Sequence, residues 1–448
     1  MAEVIAASSA ESDDVKREAM AVHKQPDLAL LLLLLTVVLL PFNVEFVIAH
    51  LVEPSDLQHR VSYFLFDFPL GLLTLMMLPR MFRMARGAFG GRASYLTMCT
   101  AGLALFIVLA ALAEPSMRGA QAALRLVAAI AAGVALASME PRKRTLVVGA
   151  FVGVMCAESI LAIVQVIRGT TLGLTALGEY PPLYPFGDQL GAKGTFTHPY
   201  LLAGFSLVAA TIALALSASR PRRRPWLAAT FLLVVPIALT FSRMGALALA
   251  LVVAVLTLMT RRDRSWLPAL VVVILGFSLP AALTYDGWLG RAQGSTDVSN
   301  ADAITSGRLT NYRQGLDFVT SHPLLGVGPG RYMFELEDHL GVVNKQERAA
   351  LRPPHNVPLY IAAEAGVAAG LLTIALLVVL ALRARDVHLA ALAGFVAFLP
   401  FVLFDHYPYS TPMGLAFSGI WAGWVVSSMA GYKAPRSPDA LPNEDLVG

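Results

Sequence analysis

The stretch Ser321-His322-Pro323-Leu324-Leu325-Gly326-Val327-Gly328-Pro329-Gly330, followed by Pro353-Pro354-His355-Asn356, lies inside the one long polar segment of the chain. That segment runs from Trp288 to Gly366. Apolar runs near residues 266–285 and 356–382 border it, each long enough to cross a bilayer. A polar segment between two such runs reads as a large loop outside the membrane. Chemistry, if the chain performs any, belongs in this loop and in the helix ends that border it.

Working outward, the rest of the chain is hydrocarbon-compatible. Of 448 residues, 56% are hydrophobic and 14% charged, against about 25% charged in soluble domains. Scanning for runs of about 17–25 apolar residues predicts about twelve transmembrane helices. They fall near 28–49, 61–79, 95–113, 122–139, 144–167, 199–219, 226–241, 243–260, 266–285, 356–382, 387–404 and 411–430. The break between the seventh and eighth is only Phe241-Ser242-Arg243. The expected fold class is therefore all-α: a polytopic membrane protein with short amphipathic helices in its large external loop. The expected division is a tail over 1–27, one transmembrane domain over 28–430 with external loops at 168–198 and 286–355, and a tail over 431–448. No transporter-type internal repeat is visible, and composition marks both tails as disordered.

The basic residues give an orientation. One set of connections holds Arg80, Arg83, Arg86 and Arg92, then Arg142, Lys143 and Arg144, then Arg220, Arg222, Arg223 and Arg224. It continues through Arg261, Arg262, Arg264, Arg383 and Arg385, and Lys16, Arg17 and Lys24 of the first tail and Lys433 and Arg436 of the last belong to the same set. The opposite connections hold few cations, among them Arg60, Arg118, Arg168, Lys193 and Arg243. Both termini are thus expected in the cytoplasm and the large loop on the other side. The net charge of +4 is then a membrane-topology signal and gives no reason to expect nucleic acid. Cys99 and Cys156 both lie in apolar runs, with no acid or histidine at metal-ligand spacing.

Within the loop, Leu309, Tyr312, Leu316 and Val319 recur at helical spacing, so Arg308 heads an amphipathic helix that His322-Pro323 ends. A second short helix is expected over Arg331 to Leu340. Arg308 sits where a helix is already partly positive; two converging positive features suggest an anion between them, although a solvated loop arginine would look the same. Arg243 stands at an external helix end, where an arginine either snorkels or marks a site. His355, at the membrane surface, has the chemistry for proton transfer, or is simply an interfacial histidine. His322 reads first as a helix terminator. Lys193, His198, Asp405 and His406 lie at external helix ends and can line the same cleft. Gly326, Gly328 and Gly330 lack the strand and the Lys-Ser/Thr pair of a phosphate loop, so they read as a turn for close helix approach. Glu335, Glu337 and Asp338 can bind a metal, but on a polar helix face they read more simply as solvated. Glu158, Gln165, Asp67 and Glu364 fall inside apolar runs and need partners.

Taken together, Ser242-Arg243, Arg308 at a helix start, His322-Pro323-Leu324-Leu325-Gly326-Val327-Gly328, His355-Asn356 and Glu364-Ala365-Gly366 resemble the O-antigen ligase and O-antigen polymerase superfamily. Gly194-Thr195-Phe196-Thr197-His198-Pro199 is similar to the segment before that family's middle helices. The resemblance spans roughly 145–385 and is strongest over 306–366. Tyr312 departs from it, since many members carry Trp there. The resemblance implies a metal-independent, cofactor-free membrane glycosyltransferase in the bacterial inner membrane, with its site on the periplasmic side. Its donor would be a glycan on undecaprenyl diphosphate. Ligases pass that glycan to a lipid A–core sugar, polymerases to another repeat unit; general resemblance leans toward ligase. The family roles fall on Arg243 and Arg308 as diphosphate-binding cations and on His355 as the base. Lys193, His198, Tyr312, His322, Asn356 and His406 are the expected substrate-binding residues. A transporter or flippase of lipid-linked sugars is the rival class, but its signs would be internal repeats and charges at midplane in broken helices.

Overall fold

The computed structural model describes residues 27–50, 60–89, 95–179, 183–186, 189–219, 223–293, 307–342, 344, 347–348, 351–387 and 389–430. The expected tails, apart from Asp27, lie outside the described residues. So do Tyr180-Pro181-Pro182 and much of the segment between Gln293 and Gly307.

The chain is a bundle of apolar helices. In order they are α1 (Leu28–Leu39), α2 (Asp67–Phe89), α3 (Tyr95–Ala113), α4 (Met117–Ser138), α5 (Pro141–Arg168) and α6 (Pro199–Ser219). Then come α7 (Arg223–Leu239), α8 (Arg243–Arg262), α9 (Leu267–Leu283) and the short α10 (Tyr285–Gln293). The loop helices are α11 (Arg308–Ser321) and α12 (Tyr332–Leu340). The chain closes with α13 (Val357–Ala365), α14 (Val367–Val387), α15 (Leu389–Phe404), the one-turn α16 (Tyr407–Ser410) and α17 (Pro412–Ala430). Six helices among the described residues are long and apolar enough to cross a membrane: α3, α4, α5, α6, α8 and α9 with the turn before it. Some of the other apolar runs hold shorter helices, such as α1 at 12 residues. Leucines and isoleucines left exposed around the bundle, such as Leu105, Leu109, Ile160, Leu275 and Leu371, suit a hydrocarbon solvent, which satisfies side chains but not backbone.

Two expected spans need correction: the run near 28–49 does not continue as helix to residue 49, and the run near 61–79 starts as a strand, its helix beginning only at Asp67. The helix of the first run stops before Pro41, and Glu45–His50 pairs antiparallel with Arg60–Phe64 as strands β1 and β2. Pro41 cannot donate to a helix, and the Phe-Val-Ile content that follows favours an extended chain. Glu45 and Arg60, at opposite ends of the ladder, form an ion pair across this hairpin. A second small hairpin joins β3 (Tyr184–Phe186) to β4 (Gln189–Gly191). The protein is thus helical with two ribbons on its loop side.

Helix α6 is the most buried of the six long helices. Phe205 on it stacks on Phe417 of α17 with ring centroids 4.1 Å apart. Helix α17 crosses α4 at a run of small residues. A Cβ at Gly419 would meet the Ala129 carbonyl at 2.0 Å, and one at Gly423 the Gly133 carbonyl at 2.5 Å. Such contact lets two backbones touch where lipid gives no hydrophobic drive.

The glycine stretch has a related role. Helices α13 and α14 are interrupted at Gly366 (φ 90°), which leaves backbone groups to satisfy. The Pro323–Gly330 turn supplies them. Val327 N–H donates to the Ala363 carbonyl (2.9 Å), Gly328 N–H to Glu364 (3.0 Å), and Val367 N–H to Pro323 (2.9 Å). Gly326 (φ 65°) has no room for a side chain: a Cβ would lie 2.3 Å from the Glu364 carbonyl carbon. The Glu364 carboxylate accepts from Tyr409 Oη at 2.9 Å and from Tyr332 N–H at 3.4 Å. The loop is thereby bolted to the helix that follows His355.

Candidate functional site

Phe241 adopts φ 51°, unusual for a bulky residue. It turns the chain between α7 and α8, and Ser242 caps the new helix through Gly245 N–H at 3.0 Å. Arg243 is therefore the first helical residue of α8. Arg308 has the same place in α11, behind Gly307 (φ 78°). Each cation stands at the positive end of a helix, where an anion is favoured instead. The charges of both Arg308 and Arg291 bear on Arg243. Arg291, on α10, donates to Tyr200 Oη at 2.5 Å, and Tyr200 packs against His198 at 4.3 Å between rings. Three arginines from three helices converge beside the start of α6.

His355 precedes Asn356, which caps α13 through Leu359 N–H (2.9 Å) and donates to the Leu403 carbonyl (3.0 Å). Tyr312 Oη donates to the His355 carbonyl (3.0 Å), and Asn311 Nδ2 lies 3.4 Å from His355 Nδ1. Helix α11 thus carries Arg308 and the residues that hold His355 within its first two turns. His355 packs edge-on to His406 at 4.8 Å between centroids. His406 N–H donates to Asp405 Oδ1 (2.7 Å), and His406 Nδ1 lies 2.6 Å from Ser410 Oγ. Asp405 Oδ2 is buried and makes no hydrogen bond among the described residues.

Burial, with positive charge around it, sets the protonation states. It lowers His355 to about 4, helped by His406 and the arginines 308 and 352 and opposed by Asp405. His406 also falls to about 4, through burial and the same two arginines. Burial raises Asp405, and His355 opposes the rise. His198 drops to about 3, again through burial and then His406, Arg291, Arg352 and Lys193. All three histidines are neutral at pH 7. Tyr200 N–H donates to His198 Nδ1 (3.2 Å), which leaves the proton on its Nε2.

His355, Asp405 and His406 offer ligand atoms that all lie within 4.8 Å of one another, so they can hold a divalent ion. Arg308 and Arg352 work against this, and the Ser410 contact occupies one His406 nitrogen. The acidic helix face considered from sequence is organised differently: Glu335 pairs with Arg331 (2.5 Å) and Glu337 with Arg348 (3.3 Å).

Most of the expected residues meet. Arg243, Arg308, Tyr312, His355, Asn356, His198 and His406 form one connected group: the charge of Arg308 bears on Arg243, His355 and His406, that of His406 on His198, and Tyr312 bonds His355. Lys193 is buried beside it, within reach of Glu179. His322 does not join them. It ends α11 on Ser321 Oγ (3.0 Å), fourteen residues from Arg308, or about 21 Å along the axis. Helix α11 also faces differently from its pattern: Leu316 is exposed, while Gly315 and Phe318 are buried. Gly315 is chosen because Pro354 and Leu359 press on it; a Cβ there would meet each at 3.2 Å. Arg291, Arg352 and Tyr200 were not singled out from sequence. A cation within two turns of an aromatic is too common a pattern to have marked them.

None of the curated proteins compared with the chain matches it. Residues 228–374, which include Arg243, Arg291, Arg308 and His355 but not Lys193, His198 or His406, match the O-antigen ligase family model, in keeping with the O-antigen ligase and polymerase superfamily.

Proposed function

We propose that the protein is a glycosyltransferase that moves a glycan from undecaprenyl diphosphate to a saccharide acceptor, acting as an O-antigen ligase. The observation that carries this reading is the convergence of Arg243, Arg291 and Arg308 beside His355, all within the segment that matches the O-antigen ligase family, with Asp405 beside His355 from outside that segment. In this reading the arginines hold the donor diphosphate. An acceptor hydroxyl attacks the anomeric carbon as its bond to the diphosphate breaks, and the sugar inverts. The leaving polyprenyl diphosphate is already a stable anion, so fixed positive charge suffices and no strong acid is needed. Arginine forks suit its oxygens.

Asn311 orients the His355 ring, and the neutral imidazole receives the acceptor proton. Asp405 is placed to stabilise the imidazolium that forms. His198 and His406, both neutral, serve as hydrogen-bonding groups. Arginine takes the role a metal would otherwise play, and no cofactor is used. The arginine-rich connections favour both termini in the cytoplasm. About twelve spans then cross the bacterial inner membrane, with the cleft on the periplasmic side.

The test is transfer by the purified protein in vesicles, supplied with a lipid-diphosphate glycan and a lipid A–core acceptor in EDTA. Glycosylated acceptor is expected. Movement of the donor across the bilayer without product would make it a transporter, and rescue by a divalent ion would move the chemistry to the His355, Asp405 and His406 cluster. A deletion strain separates the two transferase roles. Lipid-linked polymer that accumulates off the core means ligase; core capped by a single repeat means polymerase.

A further inference from the structure

A cavity of about 810 Å³ opens beside His406, within the range of about 300–1,000 Å³ usual for ligand sites. Its wall includes His406 and Arg352 but not Arg243, Arg291, Arg308 or His198. The cavity thus touches the imidazole pair through His406, whose ring lies 4.8 Å from that of His355.

Five arginines line the cavity, residues 60, 118, 125, 348 and 352, against two glutamates, Glu45 and Glu364. The guanidinium groups are held in place from behind. Arg118 donates to the Arg60 carbonyl (2.9 Å) and lies over the Phe334 ring at 5.9 Å. Arg125 bonds the Ser62 carbonyl (2.6 Å) and Asp67 (3.0 Å), yet its Nε is buried and makes no hydrogen bond among the described residues. Arg348 is pinned by Glu337 at 3.3 Å. Tyr360 and Tyr409 complete the wall with aromatic surface on which the carbon faces of a sugar ring can lie. Such a wall matches a molecule that is part carbohydrate and part anion.

We propose that this cavity is the acceptor subsite and that it selects a saccharide carrying a phosphate or carboxylate group. The assignment rests on the transferase reading for its role, and on the cavity wall for its chemistry. A sugar seated there lies against His406 and so next to His355, while the arginines assigned to the donor diphosphate stand outside the cavity wall. The hairpin β1–β2, which the helical pattern did not foretell, is then part of the acceptor site, since Glu45, Arg60, Ser62 and Phe64 belong to it.

The test is equilibrium binding of three probes to the purified full chain without donor. They are a trisaccharide with one phosphate monoester, the same trisaccharide after phosphatase treatment, and one bearing a uronic acid instead. The two charged probes should bind roughly tenfold or more tighter than the neutral one, as expected for one charge-assisted contact, and the ratio between them identifies which anion the site prefers. Arg118→Gln and Arg348→Gln should each erase most of that preference, with Arg118→Lys retaining part, while binding of undecaprenyl diphosphate stays as in the wild type. Equal binding of charged and neutral probes would overturn the assignment, as would a preference unchanged in both glutamine variants. If the preference holds but the wild type transfers no glycan, the transferase reading falls and an anionic-saccharide site remains.

Discussion

Both ends of the helix bundle gather basic side chains, and they use them in opposite ways. At one end Lys143 pairs with Asp27 at 2.6 Å, Arg144 donates to the Ser427 carbonyl at 2.5 Å, and Arg261 and Arg262 occupy the last turn of α8. Those last-turn cations stand where a helix welcomes positive charge. At the other end Arg243 and Arg308 stand in first turns, where it is unwelcome, and Arg291 crowds them further. In the proposed reading the first arrangement serves topology, and the second is held for an anion, with the neutral histidines beside it held for a proton.

That contrast can be broken by substitution. The largest effect is expected at His355. His355→Ala should slow transfer by roughly 10²–10⁴-fold, the range for a lost general base. His355→Gln should be nearly as slow, because an amide cannot accept the proton. Near-normal turnover by the glutamine variant, measured as product per time at saturating donor, would reduce His355 to an orienting group.

Next comes Arg308→Ala, with an expected barrier increase of about 2.7–4 kcal/mol, as for one preorganised charge-stabilising donor. Arg308→Lys should recover only part, since a point charge cannot fork. Arg144→Ala, at the other end, should leave kcat and KM near wild type. Equal losses from both would erase the distinction between the two ends.

A smaller effect sharpens the comparison through pH. His355, lowered to about 4 by burial with His406, Arg308 and Arg352 adding to it, is neutral and able to accept a proton above that pH in the free protein. The acid limb of kcat/KM for donor should therefore fall as pH drops through that region. A bound diphosphate adds negative charge and raises the imidazole, so the acid limb of kcat should lie at higher pH. Coincident limbs, or limbs that persist in His355→Gln, would show that another group titrates.

Much of this was legible in the chain. Apolar runs announced the rods, and the Phe241-Ser242-Arg243 break proved to be a true helix boundary, fixed by a left-handed Phe241. Arg243, Arg308, His355 and His406 were each visible as cations or imidazoles at helix ends. What stayed hidden depends on contacts between distant segments. Pairing of Glu45 with Arg60 creates a hairpin that no helical periodicity contains. The pressure of Pro354 and Leu359 on Gly315 turns α11 away from its own apolar stripe. Arg291 joins Arg243 only because α10 folds back onto Tyr200, and His322 leaves the site because a straight helix separates its two ends.

The central claim is that the arginines at the helix starts hold the donor diphosphate, independently of the base. The most direct measurement is equilibrium binding of undecaprenyl diphosphate, without any sugar, to purified wild type, His355→Gln, Arg308→Ala and the Arg243→Ala/Arg308→Ala pair. Wild-type affinity is predicted for His355→Gln, a loss on the order of tenfold or more for Arg308→Ala, and a larger loss for the pair. Unchanged affinity in both arginine variants, or an equal loss in His355→Gln, would contradict the account.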